Sequence, residues 1–314
     1  MKRAFLALTA IAAALLSTTT LADDDVAADA ADDARPELVL WHAYRAAEAD
    51  VIERIVDDLN KSRTDFRVKM LAVPYDAYLD KIGAAIPRGR GPDVFIAAHD
   101  PIGDWARAKT IQPIDDALDA QATSALLPGL LPAVIFEDHV YGLPIAFKSL
   151  ALWRNTRRVP DAPKTLDELE AVAKAQTGAG RYGLVYENRD LFFHAPFLFG
   201  YGGRLFDDAG RPALLEPAVE RSIVRAKAIA DSGIVPSEVS GTLTMSLFNG
   251  DKAAMIITGP WARGEVEASV PFEISALPDI VDVDGARRPM KPLLTVEAVF
   301  VSGKTDKRDL AITL

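Results

Sequence analysis

Apolar positions recur along this chain with two different periods, and the changes of period mark out its elements. Leu38-Val39-Leu40-Trp41 is a short unbroken apolar run of the kind a doubly buried strand requires. Val51, Ile52, Ile55, Val56 and Leu59 then recur at helical spacing, which predicts a helix with one apolar face. Phe66, Val68, Met70 and Ala72 alternate as a strand, and Tyr75 to Ile86 returns to the helical pattern. A third strand is expected over Asp93 to Ala97, entered through Arg90-Gly91-Pro92. After it, Asp100 stands as a capping carboxylate before Pro101 at the first position of a helix. Tyr141-Gly142-Leu143-Pro144 reads as a hydrophobic turn leading to a strand over Leu150 to Trp153. The βαβαβα order predicts a mainly parallel sheet covered by helices.

A second α/β unit follows. Thr165 and Glu168 form a capping box for the helix after Pro163. Tyr182 to Tyr186 reads as a strand and Leu191 to Phe199 as an aromatic helix closed by Gly202-Gly203. Pro217 opens a helix to about Asp231. Leu247-Phe248 close a further apolar helix, Asn249-Gly250 break it, and Ala253 to Ile257 form a short buried strand stopped by Gly259-Pro260. The stop leaves Trp261 at the carboxyl end of a strand, where open α/β sheets hold ligands in a crevice. Large aromatics also dominate cores, so a core role for Trp261 stands beside the cleft role. The apolar stretch Leu294 to Val301 reads as a strand crossing back to the first unit.

The stretch around Trp261 carries a resemblance. Its order of Phe248, Gly250, Ala253-Ala254-Met255 and, three residues on, Gly259-Pro260-Trp261 resembles the signature of the family 1 extracellular solute-binding proteins, which include the maltose-binding proteins of bacterial importers. The resemblance runs from Leu38 to the last residue. It implies a periplasmic-binding-protein-like α/β fold: two lobes joined by crossing hinge strands, with a ligand cleft between them. The expected boundaries are residues 37–147 plus 298–314 for the first lobe and 148–297 for the second. It also implies a monomeric, non-enzymatic carrier without cofactor or metal, whose partners are a carbohydrate and the membrane permease subunits of an ABC importer.

The start of the chain places such a protein outside the cytoplasm. Lys2 and Arg3 precede an apolar run from Ala4 to Leu16, too short for a stable anchor, and Thr20-Leu21-Ala22 offers small residues for cleavage. A signal peptide over 1–22, cut after Ala22, and a periplasmic location are expected. Residues 23–36 are alanine and aspartate without periodicity, an acidic disordered tether. Losing the two cations of the leader takes the formal charge from −10 to −12, which argues against nucleic acid and anionic lipid as partners. There is no cysteine for lipid attachment or disulfides, and the four histidines show no metal-ligand spacing.

Three loops could face the cleft. His42-Ala43-Tyr44-Arg45 follows the first strand, and Tyr44 and Arg45 stand where the family places polar sugar contacts. Ala97-Ala98-His99-Asp100 follows the third; Asp100 could accept two hydroxyl hydrogen bonds or cap the next helix. The maltose-binding members carry a tryptophan at the position of Ala97 and an arginine at that of Pro101. In the second lobe the family places an acid and an aromatic that hold a glucose unit, and Asp190 and Phe192 stand there. Lys148 occupies the position of an acid, so the charge is reversed; it would favour a different hydroxyl pattern or an acidic group, or else pair with a nearby carboxylate.

Aromatic plates with carboxylates and a basic donor suit a carbohydrate, with its apolar C–H faces and hydroxyl rim. A glycoside hydrolase built on paired acids such as Asp100 and Asp190, and a sensor that presents bound sugar to a receptor, are the alternatives. Members of the family continue past the position of Leu314, and Lys307 to Leu314 reads as the start of a helix. The resemblance therefore implies a fragment or truncated product, with Leu310 and Ile312 short of cover.

Overall fold

The computed structural model describes residues 34–118, 120–283 and 285–314. The expected leader, and the tether as far as Asp33, lie outside the described residues. The tether's last residues are fastened: Arg35 Nη1 donates to the carbonyl of Asn60 at 2.9 Å and to that of Arg63, at the carboxyl end of the first helix.

The first lobe opens with β1 (Glu37–His42), α1 (Ala47–Ser62), β2 (Arg67–Ala72), α2 (Tyr75–Ala85), β3 (Val94–Ala98) and α3 (Ile102–Arg107). A short helix α4 (Ala120–Ala125) and the small hairpin β4 (Ile135–Phe136) and β5 (His139–Val140) lead to β6 (Gly142–Lys148). The second lobe holds β7 (Ala151–Asn155), α5 (Leu166–Gln176), β8 (Tyr182–Val185), α6 (Leu191–Gly200), α7 (Pro217–Asp231) and α8 (Gly241–Asn249). It continues through β9 (Ala253–Thr258), β10 (Phe272–Ser275) and the ribbon of β11 (Asp279–Val281) and β12 (Arg287–Pro289). β13 (Thr295–Val301) then returns to the first lobe, which α9 (Arg308–Thr313) ends.

Among the described residues the two large sheets are a five-stranded one in the order β2-β1-β3-β13-β6 and a four-stranded one in the order β10-β7-β9-β8, beside the two-stranded β4-β5 and β11-β12. The first is mixed rather than mainly parallel. β1 runs parallel to β2 and β3, whereas β13 is antiparallel to β3 and β6. The reason is where the chain crosses between lobes. β6 ends at the crossing with Lys148, which pairs with Thr295 at the start of β13, and β3 ends there too, with Ala98 opposite Glu297. A strand that enters from the crossing must run away from it, against β3. Thr295 to Glu297 and Lys148 therefore hydrogen-bond within the first sheet, and the crossing lies at 149–150 and just before Thr295.

Two local expectations are corrected. Residues 142–148 form a strand, not a turn; Pro144 is tolerated because β6 is an edge strand, next to a bulge at Glu297/Ala298 of its partner. Asp100 caps nothing, because α3 begins at Ile102 with Pro101 as its cap residue and no side-chain cap bond. The Ile102 N–H instead reaches back to the His99 carbonyl at 3.0 Å, so a backbone turn serves the donor a carboxylate would have taken. At α5 the Thr165 half of the expected capping box forms, Glu168 N–H donating to Thr165 Oγ1, while the Glu168 carboxylate accepts the N–H of Lys164, one residue before the cap.

Each lobe has its own apolar core. Leu152, Leu184, Tyr186, Phe197 and Met255 centre the second, and Leu38, Phe66, Val94 and Phe95 the first. The apolar face of α1 is only partly covered: Val56 is buried, but Val51 and Ile55 are exposed by 46% and 57%. That uncovered face is continuous with the space between the lobes.

Candidate ligand cleft

A cavity of about 1390 Å³ opens where the first lobe's sheet meets Trp261 of the second, and it extends along the uncovered face of α1. Tyr44, Arg45, Lys148 and Trp261 line it, together with Glu48, Glu265 and Glu297.

The geometry starts at the end of β1. His42 is 1% exposed and its Nδ1 accepts the Tyr44 N–H at 3.2 Å. Burial lowers the pKa of His42, with Glu53 opposing, which favours the neutral ring that can accept this bond. Tyr44 then stands beside Glu297 on β13, whose carboxylate acts on its hydroxyl. Burial, and then the charge of Glu297, push the Tyr44 pKa up, so the phenol stays a donor. Glu297 also pairs with Lys148 on the neighbouring strand, the side chains being 10% and 16% exposed. Lys148 Nζ in turn lies 5.9 Å from the Trp261 ring centroid, within reach of a cation–π contact.

On the other side β9 delivers the chain to Gly259, and Trp261 lies in the short 3-10 helix Pro260–Glu265. Its ring is half-buried against both apolar clusters of the second lobe and 6.3 Å from Phe192, tilted by 46°. Phe192 is set by the start of α6, where Asp190 Oδ1 accepts the Phe192 N–H at 2.7 Å. Arg45 crosses between lobes to Glu265 at 3.0 Å. Beside this contact, a Cβ on Gly264 would stand 3.5 Å from Ala47 Cβ.

The structure thus brings Tyr44, Arg45, Lys148 and Trp261 to one cavity, with Phe192 against Trp261. Asp190 serves as a helix cap one turn away. Asp100 is exposed and does not line the cavity, so the two acids named for a hydrolase do not face each other across it. Lys148 does not stand as an open cation, because Glu297 matches its charge.

Four acids escaped the sequence reading. Glu297 had a signal: it is the lone charge in the apolar strand TVEAVFV, and it is 7% exposed. Glu48 and Glu265 gave none, because only the fold brings the amino end of α1 against the turn after β9. Glu187 likewise stood among polar loop neighbours; burial first, and then Asp190, raise its pKa.

With this geometry in view, residues 43–313 match the family profile described as bacterial extracellular solute-binding protein. The chain belongs to that family. A maltotriose-binding protein of Pyrococcus abyssi is 28% identical over 279 residues, covering 88% of this chain and 60% of the relative. A maltooligosaccharide ABC transporter solute-binding lipoprotein of Streptococcus pneumoniae is 29% identical over 216 residues, covering 64% and 50%. The chain therefore spans between half and 60% of the length of these relatives. Among solved structures, a Thermus thermophilus maltotriose binding protein bound with maltotriose superposes with a TM-score of 0.79 at 24% identity, over 88% of this chain and 75% of the other, which shows the shared fold.

The cleft of this solute-binding protein has a pH signature. Burial raises the pKa of Glu48, opposed by Lys148 and Arg45, so its charged form is disfavoured in the folded protein. An acid with a raised folded pKa costs stability above that pKa, and the cost disappears as pH falls through it toward the unfolded value. Glu48→Gln should therefore melt at or above the wild-type temperature at neutral pH, with the gap closing on acidification. A gap that widens as pH falls would contradict a Glu48 carboxylate disfavoured by burial.

Proposed function

We propose that this protein binds a carbohydrate between its lobes in the periplasm and delivers it to the permease subunits of an ATP-driven importer. The observation that carries the reading is aromatic surface beside charged hydrogen-bonding groups where the lobes meet. Trp261 and Phe192 stand 6.3 Å apart, and the linked Tyr44, Glu297 and Lys148 adjoin Trp261. A sugar ring offers apolar faces to the first set and hydroxyls to the second. Relatives named for maltotriose and maltooligosaccharides support an α-glucan ligand.

Delivery works by closure. The two lobes rotate about the crossings at 149–150 and before Thr295, and the Arg45–Glu265 pair holds the closed edge. The protein acts as a monomeric carrier and leaves the sugar unchanged. Because Lys148 is matched by Glu297, neutral sugars are preferred over uronic acids.

A thermal-shift series with glucose, maltose, maltotriose, a longer maltodextrin and galacturonic acid tests this. A ligand that binds only the folded state stabilises it by about 2.7 kcal/mol at a hundredfold excess over Kd, so maltotriose or maltodextrin should raise Tm clearly. An unchanged Tm across the series would overturn the proposal, and a rise with galacturonic acid alone would return Lys148 to the role of an open cation.

A further inference from the structure

We propose that Gly259 positions the Trp261 ring in the cleft by lacking a side chain, an inference that rests on reading Trp261 as the plate on which ligand stacks. Gly259 is not required by backbone conformation. Its φ of −107° and ψ of −175° are extended values that any L residue adopts. The requirement is space. A Cβ at 259 would stand 2.0 Å from Cζ3, 2.3 Å from Cη2 and 2.5 Å from Cε3 of Trp261. Three adjacent carbons of the benzo ring thus occupy the volume of the missing side chain, and the indole lies directly on the backbone at the end of β9.

The clash would not be relieved cheaply. A rigid bicyclic ring cannot bend aside as the tip of a lysine or methionine does, and Pro260 between the two residues restricts φ. A methyl group at 259 must therefore displace the ring from the strand and change its setting relative to Phe192 and Lys148, its neighbours at 6.3 and 5.9 Å. Stacking depends on the height of the plate relative to the polar groups beside it, so Gly259 governs affinity without touching ligand. It is a positioning residue.

The protein reports on this optically. Of its four tryptophans, Trp41, Trp105 and Trp153 are 6%, 7% and 2% exposed, so acrylamide quenching reads chiefly the half-buried Trp261. Gly259→Ala should lower the apo melting temperature, change the quenching, and weaken maltotriose binding of the folded protein by about tenfold or more. In a Trp261→Ala background the same change should have no further effect on affinity, since the ring through which it acts is gone. Wild-type quenching and affinity in Gly259→Ala would overturn the inference, and so would an equal loss in the Trp261→Ala background. If Gly259→Ala fails to fold, the double variant, which removes the clashing atoms, should fold; its failure would also overturn it. Unchanged maltotriose affinity in Trp261→Ala alone would instead overturn the ligand-plate reading, whatever happens to the quenching of Gly259→Ala.

Discussion

Trp261→Ala will weaken maltotriose binding by about thirtyfold, the equivalent of roughly 2 kcal/mol for the loss of an aromatic anchor. The ring lines the cavity, contacts Phe192 and lies near the Lys148 ammonium, so its removal takes away the apolar wall on which a sugar face rests. It also packs on both apolar clusters of the second lobe, so some stability goes with it. Because Trp261 is only half-buried, that loss should fall well below the roughly 3–5 kcal/mol of a fully buried aromatic. Trp153, at 2% exposure on β7 of the same lobe and stacked on Phe272, is the comparison: Trp153→Ala should collapse the melt. Calorimetry with maltotriose beside thermal melting without it separates the two effects. A Trp261→Ala variant that melts like Trp153→Ala and binds no worse than its folded fraction predicts would make Trp261 a core residue.

Lys148→Ala should destabilise the protein by about 3 kcal/mol, because it leaves the Glu297 carboxylate in a largely buried site without its cation. The pair joins β6 to β13 at the crossing between lobes, and Tyr44 adds only a neutral donor to the same carboxylate. Well-packed uncharged groups can replace a buried ion pair with little loss, so Lys148→Met combined with Glu297→Gln should recover most of the stability. Denaturant unfolding of the single and double variants forms a cycle in which the coupling can be read directly. If Lys148→Ala unfolds at the wild-type midpoint, the pair is solvated, and the ammonium is free to meet ligand.

The two experiments address different links of one chain of contacts. Glu297 touches both Tyr44 and Lys148, and Lys148 faces Trp261. The two predictions put stability at the Glu297–Lys148 end of that chain and ligand affinity at the aromatic end. This division places the costly buried charges where the sheet holds them rigidly and leaves the adjustable surface at the mouth.

Most of the elements and the family resemblance were legible in residue order. Alternation located β2 and helical spacing α1 and α2, because side-chain direction along a regular backbone repeats with a fixed period, while an unbroken apolar run marked β1 and the Gly91-Pro92 entry marked β3. The Pro217 start placed α7, and the ordered stretch from Phe248 to Trp261 carried the resemblance that the family profile supports. Features that depend on contacts distant in sequence were not legible there. The strand over 142–148 was hidden by its proline, since nothing local says that this segment forms a sheet edge. The direction of β13 followed from the point at which the chain re-enters the first sheet. Asp100 lost its helix because a backbone turn reached the first donor sooner. The partners of Lys148 and Arg45, Glu297 and Glu265, lie on segments far away in sequence, and electrostatic contact depends on distance through space, which residue order does not record.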